Sequence, residues 1–285
     1  MLSCKTNVKE AKLFVKSSCL LGEGILWDSR ENCIFWVDVL KKQVHRMNLS
    51  DHKVEVYKFN QYVSKIMIAK GGGFILGMKG MLASWMGAVS EVKPIVLVED
   101  SITMNRTNDG AIDPFGNIWI GTMSMDAKPN AGKLYCYKDG RLKVVLDQVS
   151  IPNGLVWTDN DQYVYFVDSY TKKIKRYQYI NDRCELTNSK VIVEIPADLG
   201  LPDGMCLGPD GNLWVAHWGG YGVYCWDINT GKLLKKVSVD APHITSCTFG
   251  GKAGNDLFIT TARDGLSNAQ LKLYPNSGSV FHYVY

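Results

Sequence analysis

Polar and apolar positions alternate along this chain in a unit that recurs six times. Each copy starts with a short polar residue, usually followed by Gly, then a brief apolar run, a turn, and a strand dense in aromatics. Glu23-Gly24 leads through Ile25-Leu26-Trp27 to Cys33-Ile34-Phe35-Trp36-Val37-Asp38. Asp109-Gly110 leads to Ile118-Trp119-Ile120-Gly121, Asn153-Gly154 to Tyr163-Val164-Tyr165-Phe166-Val167-Asp168, and Asp203-Gly204 to Leu213-Trp214-Val215-Ala216. Two copies lack the Gly: Ser64 precedes Phe74-Ile75-Leu76-Gly77, and Ser246 precedes Leu257-Phe258-Ile259-Thr260. The anchors at 23, 64, 109, 153, 203 and 246 are 41 to 50 residues apart. That period, with strand-turn-strand signals inside each unit, predicts an all-β, six-bladed propeller of four antiparallel strands per blade.

A second hairpin follows each anchor pair. Gly132 to Tyr137, the turn Asp139-Gly140 and Leu142 to Leu146 form the clearest one. Lys173 to Tyr179 with Ser189 to Glu194, and Gly222 to Asp227 with Leu233 to Val239, are two more. No helical period is evident. Residues 11 to 16 and Ser279 to Tyr285 both read as strands, and their pairing would close the ring and remove a free edge. The expectation is one propeller domain over residues 1–285.

Composition agrees. The chain has 285 residues, 46% hydrophobic and 21% charged, with 27 Gly, 8 Trp, 14 Tyr and 9 Phe, as many short strands on tight turns require. A net charge of +4 is spread thinly. Lys172, Lys173, Lys175 and Arg176 are the one close basic cluster, read as a solvated hairpin rather than a nucleic-acid surface. The first ten residues lack an apolar secretory core, and no stretch has the length of a membrane span. The 8 Cys lie far apart and fall mostly in apolar strands, so they are expected as buried free thiols and the compartment as the cytoplasm. Neither monomer nor dimer is favoured.

The anchors carry the candidate chemistry. In a propeller, equivalent points on the innermost strands converge on the axis. Glu23, Asp109, Asn153 and Asp203 would bring oxygen donors together there, several of them carboxylates that call for a cation. An oxygen set of this kind suits Ca²⁺, Mg²⁺ or Mn²⁺, and catalytic Zn²⁺ remains compatible. Arg106 and Asn108 precede the third anchor, are expected to project near the axis opening from a loop, and offer donors suited to a polyhydroxylated or carboxylate-bearing ligand. Other chemistry lacks its local signature: there is no G-x-S-x-G and no H-E-x-x-H. His217 reads as a packed histidine, Gly71-Gly72-Gly73 as a hairpin turn, and Asp159-Asn160-Asp161 as a turn rather than a calcium loop.

These residues resemble the SMP-30/gluconolactonase/luciferin-regenerating enzyme family, which includes regucalcin-like sugar lactonases. The resemblance runs from Leu21-Gly22-Glu23-Gly24 to Ala262-Arg263-Asp264-Gly265-Leu266. It is carried by Asn105-Arg106-Thr107-Asn108-Asp109-Gly110, Asp113-Pro114, Gly121-Thr122-Met123, Ile151-Pro152-Asn153-Gly154-Leu155 and Pro202-Asp203-Gly204-Met205-Cys206. It implies one divalent metal held by Glu23, Asn153 and Asp203, with Asp203 as general base. It also implies substrate contacts from Arg106 and Asn108, and makes Asp109 a supporting residue. Where regucalcin-like members place a substrate-contacting Glu after Gly-Thr-Met, this chain has Ser124-Met125-Asp126, which assigns that position to the shorter Asp126. The expected activity is metal-dependent hydrolysis of a small lactone, first of all a sugar lactone such as gluconolactone or a pentonolactone, with no nucleic-acid or membrane partner. The alternatives are a calcium-binding regulatory protein of regucalcin type and a hydrolase of non-sugar esters.

Overall fold

The computed structural model describes residues 9–158 and 161–285; residues 159 and 160 of the turn expected at Asp159-Asn160-Asp161, and the thiol of Cys4, lie outside the described residues. The fold is all-β and built from antiparallel sheets in the manner of a propeller. Four sheets have four strands each, taken consecutively from the chain. They begin with Gly22–Asp28, Val63–Ile68, Asn105–Ile112 and Pro152–Trp157, so each of these strands carries one anchor. The remaining strands form a nine-stranded sheet. Its first part runs from Leu201–Leu207 through Leu213–Trp218 and Gly222–Trp226 to Leu233–Ser238, and its second holds His243–Gly250, Asp256–Ala262 and Val280–Val284. One residue pair, Trp218 with His243, joins the two parts.

Closure takes the expected form. Lys12–Val15 pairs antiparallel with Val280–Val284, so an early strand completes the sheet of the last. The chain goes further than its pattern predicts: Lys9–Glu10 pairs in parallel with Leu233–Ser238, lacing the edge of the neighbouring four strands.

Each second strand packs on both faces, which is why it reads as a continuous apolar run rather than an alternation. Every residue of Cys33–Asp38 and of Ile118–Ser124 is buried. Aromatic residues fill the space between sheets. Phe35 of the first sheet meets Phe74 of the second with ring centroids 4.7 Å apart, and Trp119 of the third meets Trp157 of the fourth at 5.6 Å. The seven described cysteines are free, and all but the half-buried Cys206 are buried, as expected of strand thiols.

One element departs from the sequence reading. Asn268–Leu273 is a short α-helix, held by a capping box in which Ser267 accepts from the Gln270 backbone and the Gln270 side chain accepts from the Ser267 N–H. Its signal is the Ser-x-x-Gln spacing, too local to register as a helical period. Among the described residues no helix is long and apolar enough to cross a membrane.

Candidate active site

Every innermost strand changes register at its anchor. The shifts fall between Glu23 and Leu26, Val63 and Lys65, Thr107 and Gly110, Asn153 and Leu155, Pro202 and Met205, and Ile244 and Ser246. A bulge bends its strand and re-aims one side chain out of the ladder. Here it turns the anchor residues away from their own sheets.

The inner strands also touch one another in chain order and close on themselves. Ser64 Oγ lies 2.8 Å from Thr107 Oγ1, and Asn108 Nδ2 donates to Asn153 Oδ1 at 3.1 Å. Ser169, just past the second strand of its sheet, links Asn153 to Pro202, accepting from Asn153 Nδ2 at 2.8 Å and donating to Pro202 O at 2.6 Å. Thr245 Oγ1 donates to Gly22 O, joining the last to the first. The anchor glycines permit this closeness. A Cβ at Gly154 would lie 2.4 Å from that of Met205, and one at Gly204 would lie 2.6 Å from Ser246 Oγ. No real Cβ occupies such space, so Gly follows the anchor where two strands approach.

A cavity of about 300 Å³ opens at one end of this ring, and Glu23, Arg106, Asn108, Asn153 and Asp203 all line it. Residues as distant in sequence as 23 and 203 are thus brought to one wall. Asn153 and Asp203 are almost wholly buried, at 5% and 6% exposure. Asn153 is fixed on both sides: its Nδ2 donates to Ser169 Oγ at 2.8 Å, while its Oδ1 accepts from Asn108 and keeps a second lone pair. The Gly24 N–H donates to Glu23 Oε2 at 2.9 Å, and the Gly204 N–H hydrogen-bonds Asp203. Asp203 Oδ1 is buried and has no hydrogen-bond partner.

The electrostatics agree with that geometry. Burial, then the nearby Asp109 carboxylate, push Glu23 up to about 7. Burial, then Glu23 and Asp109, hold Asp203 well above the usual carboxylate range. Burial depresses the Arg106 guanidinium, opposed by Glu23 and Asp203. Converging carboxylates of this kind, one with an orphaned oxygen, need a positive charge between them. Two carboxylates and an amide oxygen are the donors a hard divalent cation takes, so the residues fit such a cation. The amide sets this group apart: among the described residues no cluster of three or more His, Cys, Asp or Glu is placed to hold a metal.

Other expectations are met or modified: Arg106 and Asn108, expected on a loop, lie within the strand Asn105–Ile112. Arg106 Nη1 is spent on Asn108 Oδ1 at 2.6 Å and Thr107 O at 2.9 Å, leaving its remaining N–H groups for the cavity. Asn108 is engaged at both ends, since its Nδ2 also donates to Pro152 O at 2.8 Å. It positions Arg106 and Asn153. Asp126 is exposed and does not line the cavity, although its neighbours Met125 and Ala127 do. Asp109 lines a second cavity instead and is paired with Lys65 Nζ at 2.7 Å. His217 is packed as expected: Nδ1 is 2.8 Å from Leu199 O, the ring stacks on Tyr224, and burial lowers it to about 4.

Sequence reasoning missed Ser169, Trp218 and Asp264. Ser169 follows the aromatic strand Tyr163–Asp168 and carries no motif, yet it joins the anchor Asn153 to Pro202, the residue before the next anchor. Trp218, stacked on His243 at 4.0 Å, and Asp264 complete a rim that includes Leu21, Met123, Met125, Ile151 and Leu201. These residues sit at strand ends, where the repeat pattern gives out.

Comparison with known proteins adds the family context. Residues 21–263 match the family model described as the SMP-30/Gluconolactonase/LRE-like region. The chain is 30% identical over 273 residues to regucalcin of Xenopus laevis, covering 94% of this chain and 91% of that one. It is 31% identical over 273 residues to a putative sugar lactone lactonase, YvrE, of Bacillus subtilis strain 168, covering 95% and 94%. A solved luciferin-regenerating enzyme superposes with a TM-score of 0.87 at 29% identity over 96% of both chains.

Proposed function

The chain belongs to the SMP-30/gluconolactonase/LRE-like family, and from that premise we propose that it is a metal-dependent lactonase acting on a small lactone, with sugar lactones as the first candidates. The observation that carries this reading is the unpartnered, buried Oδ1 of Asp203 beside Glu23 and Asn153 in one cavity. We read the nine-stranded sheet as two blades bridged at Trp218 and His243, so that one domain of six blades surrounds the site.

Glu23, Asn153 and Asp203 would hold one divalent cation, of which Ca²⁺, Zn²⁺, Mg²⁺ and Mn²⁺ are the candidates. When bound, that cation supplies Lewis acidity toward the lactone carbonyl. The protein supplies the rest. Arg106, held by Asn108, directs its free N–H groups at substrate oxygens and fixes the lactone for attack. Asp203 takes a proton from water as its oxygen bonds to the carbonyl carbon. The bond from that carbon to the ring oxygen then breaks, Asp203 returns the proton to the departing oxygen, and the product is a hydroxy acid. The apolar rim, Met123, Met125 and Trp218 among it, covers the carbon skeleton and limits water to the reacting face.

Acid release from gluconolactone and several pentonolactones, followed with a pH indicator, tests the reading. Turnover is expected with at least one of the four cations, falling at least about 100-fold in excess EDTA and returning on readdition. Stoichiometric calcium binding with no acid release from any lactone would favour the regucalcin-type binding protein instead. Activity confined to a simple aryl ester would favour the non-sugar ester hydrolase.

A further inference from the structure

We infer that Lys65 is a built-in counter-cation that occupies Asp109, keeps the cation centre to three protein donors, and thereby sets its affinity for divalent metal. The inference rests on the cation centre proposed above. Asp109 stands at the same repeat position as Glu23, Asn153 and Asp203, and a bulge frees it from its sheet in the same way. By position alone it would be a fourth oxygen donor. Lys65, adjoining the second anchor, prevents that. Its Nζ lies 2.7 Å from Asp109 Oδ1, and the side chains are only 16% and 11% exposed. The Gly110 N–H donates to the same oxygen at 2.8 Å, so that atom is engaged twice.

The lysine is threaded through the ring rather than draped over it. Its stem passes Gly24, where a Cβ would lie 3.3 Å from Lys65 Cδ, and its head faces a second cavity of about 290 Å³ lined with Ile66, Met67 and Leu155. Asp109 is near enough to raise the carboxyls of both Glu23 and Asp203, and Lys65 acts on Glu23 in the opposite sense. Three carboxylates therefore face two fixed cations, Lys65 and Arg106. Removing the lysine charge would leave Asp109 unpaired beside the centre. Affinity of an oxygen-donor site follows its ligand charge and rigidity.

Calorimetric titration of Ca²⁺ and Mn²⁺ into the full-length protein, the Lys65→Met and Asp109→Asn variants and their combination tests this. Lys65→Met is expected to bind Ca²⁺ about 10-fold tighter, Asp109→Asn about 10-fold weaker, and the double variant within about threefold of the parent. Opposite signs mark a charge-setting role, because an ion pair that only braced the ring would weaken binding from either side. A folded Lys65→Met protein with unchanged or weaker binding would overturn the inference while leaving the centre itself intact. If Lys65→Met fails to fold, Lys65→Gln keeps a hydrogen-bonding side chain one atom shorter without the charge and must tighten binding in the same direction. A parent protein that binds neither cation removes the centre and the inference together.

Discussion

Replacing Asp203 with Asn is expected to lower lactone turnover by at least about 10³-fold, because one substitution removes both the proton acceptor and a cation donor. Its effect on the fold should be the reverse. Asp203 is buried, repelled by Glu23 and Asp109, and leaves one oxygen without a partner. An amide of the same shape carries no charge to desolvate, so Asp203→Asn in EDTA should melt at or above the parent temperature. Sites strained for chemistry are commonly relieved in this way by inactivating changes. The two readouts are kinetics on the most active lactone and a thermal melt. A variant keeping a tenth of parental turnover with cation bound would remove Asp203 from the reaction.

The second large effect lies at a residue that does not line the cavity. Asp113 is 4% exposed and gathers donors from several elements. Its carboxylate accepts from the backbone N–H groups of Phe115 and Asn117 at 3.0 and 2.8 Å, from Asn117 Nδ2 at 2.8 Å, and from Trp119 Nε1 at 3.0 Å. The Tyr179 hydroxyl donates from the adjacent sheet at 2.5 Å. Asp113 thus ties the turn after the third anchor to two aromatic strands. Asp113→Ala would strand the Trp and Tyr donors inside the structure and open a void, a loss of roughly 3–5 kcal/mol. At a few degrees per kcal/mol for a chain of this size, the melting temperature should fall by about 10 °C. A drop below about 2 °C would mean that water replaces the carboxylate without penalty.

The repeat was legible because each unit must solve the same problem. An inner strand needs a small residue where its neighbour approaches, and a second strand needs apolar residues on both faces. Gly154 and the run Tyr163–Asp168 record those two demands directly in the sequence. Glu23, Asn153 and Asp203 could be placed on one wall for the same reason, since a shared repeat position becomes a shared position in space; Arg106 and Asn108 lie just before the third anchor, whose own Asp109 lines another cavity. The division of labour among them could not. Asn108 carries the same atoms whether it meets substrate or holds Arg106, and only the neighbouring Pro152 carbonyl decides between them. Asp109 and Asp203 are equally acidic on paper; Lys65, 44 positions before one of them, makes them unequal. Ser169, Trp218 and Asp264 are positioned by ring geometry that no local pattern encodes. The bulges belong to strand pairs, so their six-fold recurrence appears only once both strands are seen.

The lacing of Lys9–Glu10 and Lys12–Val15 onto strands more than 200 residues later also bears on how the molecule is made. During synthesis those segments emerge long before Leu233–Ser238 and Val280–Val284 and have no partner until these leave the ribosome. For most of translation the nascent circle stays open at one seam, with strand edges bare. Contacts of such separation form slowly and leave unpaired edges available to other chains meanwhile. The seam is therefore where assembly ends, and where a nascent chain is most exposed to a wrong partner.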